Sequence, residues 1–132
     1  MVRKTITEVS RHYAQEGHMI IVGRAGVATT HDLSSGLHIR LLAPYEWRLN
    51  ALKKRKAFEH TDVETFIRSH DRKKRKLIED FGGKKLNEIQ FDLSFNCATF
   101  SKPQMVKIIV EAMELKKMIK LTESNRLSCY LH

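Results

Sequence analysis

Cysteine and proline each occur only twice in the 132 residues, and tryptophan once. Two cysteines, Cys97 and Cys129, cannot build a disulfide framework and are read as buried or idle thiols. The seven histidines show no metal-ligand spacing with them, so no metal site is expected. No serine or cysteine lies in the strand-turn-helix context of a nucleophile elbow. Long apolar runs are also missing. Nothing approaches the roughly 20 residues needed to span a bilayer, and no apolar signal core follows Met1-Val-Arg-Lys-Thr5. The expectation is a cytoplasmic chain with no membrane contact. There is no repeat and no Gly/Ser/Pro-rich linker, which leaves one domain over residues 1–120 and a frayed tail over 121–132.

Negative charge is the other shortage. Lysine and arginine number 24 against 15 aspartates and glutamates, a formal charge of +9. The excess concentrates between Lys53 and Lys85, where twelve cations face six carboxylates. Such a field draws polyanions, whether nucleotides, nucleic acid or an anionic surface, without choosing among them. With 42% hydrophobic residues the chain has enough apolar surface for a folded core, which argues against disorder.

Strands and helices alternate in the pattern. Residues 2–16 read as a helix with Ile6, Val9 and Tyr13 on one face and Gly17 as its stop. The apolar run 19–22 reads as a strand ending at Gly23-Arg-Ala-Gly26. Arg24 there suits a phosphate or carboxylate at the carboxyl end of a parallel strand, although a plain solvent-facing turn fits the segment equally. Residues 27–36 read as loop with a helical turn. A second strand is expected at 37–43, then Pro44 opens a helix to about Lys56. Thr61-Asp-Val-Glu64 has capping-box spacing and starts a long helix that ends near Gly82-Gly83. Its middle, 68–76, is almost wholly polar, which suits an exposed helix. A third strand at 91–95 closes on Asn96. Ser101-Lys-Pro-Gln104 then caps a helix to about Lys120, whose Met105–Met118 stripe reads as core. The alternation predicts an α/β fold with a parallel sheet of about three strands and flanking helices.

Four segments in this order resemble the cytidylate kinase-like family of P-loop nucleotide kinases. They are Ile20-Ile-Val-Gly-Arg-Ala-Gly26, Ile39-Arg-Leu-Leu-Ala-Pro-Tyr-Glu-Trp-Arg48, Asp71 with its basic followers, and Phe91-Asp-Leu-Ser-Phe-Asn96. They are similar, respectively, to a Val-Gly-Arg-Gly strand end, an Ala-Pro-x-x-x-Arg strand-to-helix step, an Asp-x-x-Arg lid helix and a Tyr-Asp-Leu-x-x-Asn strand. The resemblance runs from about Val2 to Met118 and implies a partial P-loop-kinase sheet with a basic helical lid over about 57–85. It also implies phosphoryl transfer from ATP with magnesium to a nucleoside monophosphate or similar acceptor. Ala25 and Lys74 depart from the family pattern, which has glycine and arginine there. No Gly-x-x-x-x-Gly-Lys-Ser/Thr occurs, so this chain alone is expected to be inactive and to bind neither ATP nor magnesium tightly. In the family the strand that carries that loop lies between those matching 19–22 and 37–43. Its absence would leave two open edges, to be closed by a complementing upstream segment or by homo-oligomerisation.

Several residues are candidates for the chemistry. Arg68, Arg72 and Arg75 recur at spacings of three, four and seven, roughly one helical face, where a lid would meet phosphates in transfer. Arg24, Asp71, Lys74 and Asn96 are the substrate-binding candidates, with Asp71 able to pair with Arg75 or to orient another arginine. For Asn96, and for Asp92, structural roles are the stronger alternative; for Arg48, packing of its stem beneath the sheet edge and ligand contact stand equal. A solvated basic helix accounts for the same arginines. The rival function is a noncatalytic basic module that binds nucleic acid or a protein, with 72–76 as the patch.

Overall fold

In a computed structural model, residues 2–23 and 25–120 are described. The elements run α1 (Val2–Glu16), α2 (Gly26–Thr30), β1 (Ile39–Leu42), α3 (Tyr45–Lys53), α4 (Val63–Gly82), β2 (Leu93–Asn96) and α5 (Lys102–Leu115). Short 3-10 turns at Lys56–Phe58 and Leu86–Glu88 lead into α4 and β2. β1 and β2 form a two-stranded parallel sheet in the register Ile39↔Leu93 to Leu42↔Asn96. The crossover between them contains α3 and α4, as a parallel pair requires. The architecture is mixed helix and strand with a sheet of two strands.

The expected strand at 19–22 does not form. Ile20 is 88% exposed and Val22 82%. A strand needs a neighbour for its N–H and C=O groups. In the described sheet β1 has β2 on one side and no strand on the other. The run therefore keeps its sequence preference but finds no ladder. Ile21 is the least exposed of the run at 38%, and a Cβ on Gly26 would lie 2.6 Å from its Cγ2. Leu41 and Leu42 on β1 are exposed as well. With one packed neighbour, the strand cannot cover both its faces.

Local signals elsewhere act as read. Gly17 ends α1 with φ +82 and a bond to the Tyr13 carbonyl. Ser101 and Gln104 form a reciprocal capping box on α5, the Gln104 Oε1 accepting from the Ser101 N–H at 2.9 Å. Gly83 closes α4 with φ +63. At the start of α4 the cap shifts by one residue. Asp62, not Thr61, accepts from the Thr65 N–H and hydroxyl, because a carboxylate offers both bonds at once. α5 stops at Leu115 rather than Lys120, and Lys117 takes a positive φ of 57. Only Met105 of its stripe is buried. The tail over 121–132, with Cys129, lies outside the described residues.

Two small apolar clusters hold the helices. Ala25, Ala28, Ile78 and Ile89 pack with Phe81, Leu86 and Phe91 and join α2 to the end of α4. Leu49, Val63 and Ile67 pack with Tyr45, Leu52 and Phe58 and join α3 to its beginning. Each isoleucine so buried contributes about 1.5–3 kcal/mol. At the α2–α4 crossing a Cβ on Gly82 would sit 3.1 Å from the Ala28 Cβ, so a glycine permits the close approach. α1 buries no residue. It is held by polar bonds, chiefly Arg11 gripping both Asp32 oxygens at 2.6 and 3.1 Å and donating to the Thr29 carbonyl.

Ala25 is buried with φ +59, a left-handed conformation normally given to glycine. Ala25→Val is expected to lower stability by about 2 kcal/mol, because a β-branched side chain fits that backbone badly. Ala25→Gly should stay within about 1 kcal/mol of the parent. Denaturant midpoints of the two variants check this; equal loss in both would show that the backbone conformation is not the constraint.

Candidate functional site

Five of the sequence candidates, Arg68, Asp71, Arg72, Lys74 and Arg75, lie on α4. The inward stripe of that helix is marked by Val63, Ile67 and Ile78. Asp71 falls one turn after Ile67, beside the stripe, where it is half-buried on the side of α3. There Arg48, carried on the first turns of α3 after the β1 strand end, meets it. Both guanidinium nitrogens donate to both Asp71 oxygens at 2.8 Å. Asp71 thus orients an arginine, as one of the two sequence alternatives held, but the arginine is Arg48 and not Arg75. The packing of α3 on α4 sets that choice; 23 residues separate the partners.

The Arg48 hydrogen bonds hold the Asp71 carboxyl below its ordinary value of 3.8, against the opposing pull of burial, and the charges of Arg48, His70 and Lys74 add to the lowering. Arg48 is raised in turn, first by its bond to Asp71. Two polar atoms close to this pair lack partners. The Tyr45 hydroxyl and the Arg48 Nε are buried and make no hydrogen bond. Buried donors left unpaired are uncommon in folded proteins and mark strain or an accepting group. Tyr45 precedes Arg48 by one helical turn, so both atoms belong to the same end of α3.

The remaining candidates separate. One residue along a helix turns it by about 100°, so Lys74 and Arg75 lie on different flanks of α4. Lys74 adds to the positive potential at Asp71. Arg75 instead lines a cavity with Arg40, Lys85 and Glu79. Arg68 and Arg72 are exposed along Arg75's flank, and Arg68 adds to the lowering of the Asp62 carboxyl. Asn96 ends β2, where its side-chain oxygen accepts from the Ala98 N–H at 3.0 Å and its carbonyl from Thr99 and Phe100. These bonds close a turn. Asp92 accepts from the His38 N–H at 2.6 Å and closes the open end of the sheet. Arg24 lies outside the described residues. Among the described residues no group of three histidine, cysteine, aspartate or glutamate side chains could hold a metal ion, and no helix is long and apolar enough to cross a membrane.

The sequence reading overlooked Tyr45 and Arg40. Tyr45 stood inside the Ala-Pro-x-x-x-Arg step, yet nothing local distinguishes it from a packing aromatic. Arg40 was hidden within an apolar strand. The Arg11–Asp32 pair was also unread, since 21 residues separate it.

The depressed pKa of Asp71 fixes the sign of a pH effect. Stabilisation from the pair is complete above the unfolded value and is lost as pH falls through the folded one. Asp32 and Asp62 are shifted in the same direction. Stability should therefore decline below about pH 4. Asp71→Asn should flatten part of that acid limb and cost about 1 kcal/mol at neutral pH, a charge-assisted pair discounted for solvent screening. Denaturation curves from pH 2 to 7 test it, and an unchanged acid limb would refute it. Tyr45→Phe removes an unpaired buried hydroxyl and should leave the thermal midpoint unchanged or raise it; a drop would show that the hydroxyl has a partner.

Comparison with known proteins gives one result. A search of curated proteins and of solved structures returned no match. The model of the cytidylate kinase-like family matches residues 1–99, from α1 through β2 and beyond the Arg48–Asp71 pair. Three-quarters of the chain is thus covered, and the chain belongs to the cytidylate kinase-like family.

Proposed function

We propose that this chain is the lid-bearing part of a nucleotide kinase, receiving a nucleoside monophosphate or a related phosphorylated acceptor against α4, and that by itself it does not catalyse transfer. The observation that carries this reading is the Arg48–Asp71 pair, which ties a basic helix to the carboxyl end of a parallel strand. Ligands of parallel sheets gather at that end. Phosphoryl transfer asks a protein mainly for charge neutralisation and positioning. Lys74 and the end of α3 can supply both to an acceptor phosphate, with Arg24 as the further contact proposed from the sequence. Arg68, Arg72 and Arg75 are proposed to act on phosphates as the lid closes.

The family implies ATP with magnesium; the sequence has no Gly-x-x-x-x-Gly-Lys-Ser/Thr loop to cradle the donor phosphates, and the proposal is that this chain by itself does not hold the donor. The unpaired edge of β1 and the exposed 19–22 run support the proposal that a complementing upstream segment or a second copy pairs with this sheet.

A second reading draws on one observation. None of the twelve lysines and arginines between Lys53 and Lys85 closes an ion pair among the described residues. A surface left in that condition suits nucleic acid, whose binding falls steeply with salt.

Calorimetric titration with cytidine 5′-monophosphate should show weak, salt-sensitive binding that Lys74→Ala reduces about tenfold, the worth of one charge-assisted contact. A coupled assay with ATP, magnesium and the same acceptor should show no turnover. Turnover above background would overturn the inactivity of the isolated chain. Binding confined to long polynucleotides, absent for the mononucleotide, would replace the kinase reading with the second one.

A further inference from the structure

We infer that a second anion site, separate from the Arg48–Asp71 cluster, lies between the start of β1, the C-terminal half of α4 and the Leu86–Glu88 turn, and takes the phosphate group of a small phosphorylated molecule. An open cavity of about 450 Å³ occupies this position, walled by Arg40, Arg75, Glu79, Lys85, Leu86 and Asn87. Three different elements each bring one cation to it, against a single carboxylate. None of these four charged groups closes an ion pair among the described residues. Three cations against one carboxylate leave a net positive charge, and an anion among them lowers their mutual repulsion.

Arg40 makes the site more than a loose patch. Its guanidinium carbon lies 5.6 Å from the centre of the Phe91 ring, and the residue is half-buried. Stacking leaves the edge N–H groups free to donate while it limits the rotamers to be frozen on binding. A phosphate accepts such a planar fork in two bonds. The volume exceeds what a bare phosphate occupies and falls among small-ligand sites. Asn87 offers an amide donor and acceptor, and Leu86 an apolar surface, for the organic part. The larger cavity at the C-terminal end of α3, opposite the end that carries Arg48, lacks this bias, because Glu59, Asp62 and Glu64 oppose its Lys53, Lys54, Arg55 and Lys56.

The site uses neither Arg48, Asp71 nor Lys74; it shares Arg75 with the proposed lid, and it is tested at Arg40 and Lys85, which the kinase reading does not use. Nitrogen-15-labelled full chain, titrated separately with inorganic phosphate and with cytidine 5′-monophosphate at low and high salt, tests it. Saturable shifts at the amides of Arg40, Lys85 and Asn87 are expected, tighter with the monophosphate and lost at high salt. Arg40→Gln should weaken binding at these amides about fivefold or more, leaving any response near Lys74 unchanged. Lys85→Gln, at an exposed position, gives the same readout should Arg40→Gln fail to fold. The absence of saturable shifts with both probes would overturn the site. So would equal weakening by Lys74→Gln, which would mean one diffuse basic field. Equal affinity for the two probes would overturn the organic half of the assignment.

Discussion

The parallel pairing of β1 with β2 is the constraint on which the rest of the structure depends. Four residues on each side share one register, and the chain must travel from the carboxyl end of β1 back to the opposite end of the ladder to begin β2. That requirement forces a crossover long enough to hold α3 and α4. Asp92, bonded to the His38 N–H, closes the entry end of the ladder, and the Cys97 N–H, bonded to the Leu42 carbonyl at 2.7 Å, extends its exit. Two strands are a minimal sheet, so stability passes to the helices packed around it. Those helices hold two small apolar clusters rather than one continuous core.

The arrangement of charge follows from the same geometry. Because α3 starts at the strand end and α4 returns across it, Arg48 and Asp71 are brought together over a long separation in sequence. Their bond consumes the one carboxylate in the middle of α4. The neighbouring cations remain unneutralised and are distributed between two flanks. One flank carries Lys74 toward the end of α3, and the other carries Arg75 toward Arg40. A basic helix that reads as one stripe in sequence thus serves two separate locations. Arg11 and Asp32 perform a purely mechanical task by comparison, fastening an otherwise exposed α1 to α2.

Family membership and the described sheet are consistent in what they omit. The sequence lacks a phosphate-cradling loop, and the described strands lack a partner on the far side of β1. The apolar run at 19–22 has the composition of a buried parallel strand, yet Ile20 and Val22 are almost fully exposed. Composition states a preference; hydrogen-bond partners decide whether it is realised. The same principle explains Ala25, which adopts a glycine-like backbone because the turn around Gly23 and Gly26 requires it.

Helix starts and several stops were legible to within a residue or so, since they depend on neighbours within one turn; the ends of α3 and α5 were not. Gly17, Gly83 and the Ser101–Gln104 box act through bonds spanning three or four positions. The alternation of element types, and the resemblance carried by four spaced segments, were legible for the same reason. The candidate site was legible only as a list of basic residues on a helix. Which cation meets Asp71, which flank Lys74 and Arg75 face, and that Asn96 turns inward on its own loop all depend on helices docking across tens of residues. So does the fate of 19–22. The sequence by itself determined the local elements, the family and the excess of positive charge. Only the tertiary structure decided the pairing of Arg48 with Asp71, the placing of Arg40 and Arg75 around one cavity and the absence of a third strand among the described residues, because each depends on how segments distant in sequence dock.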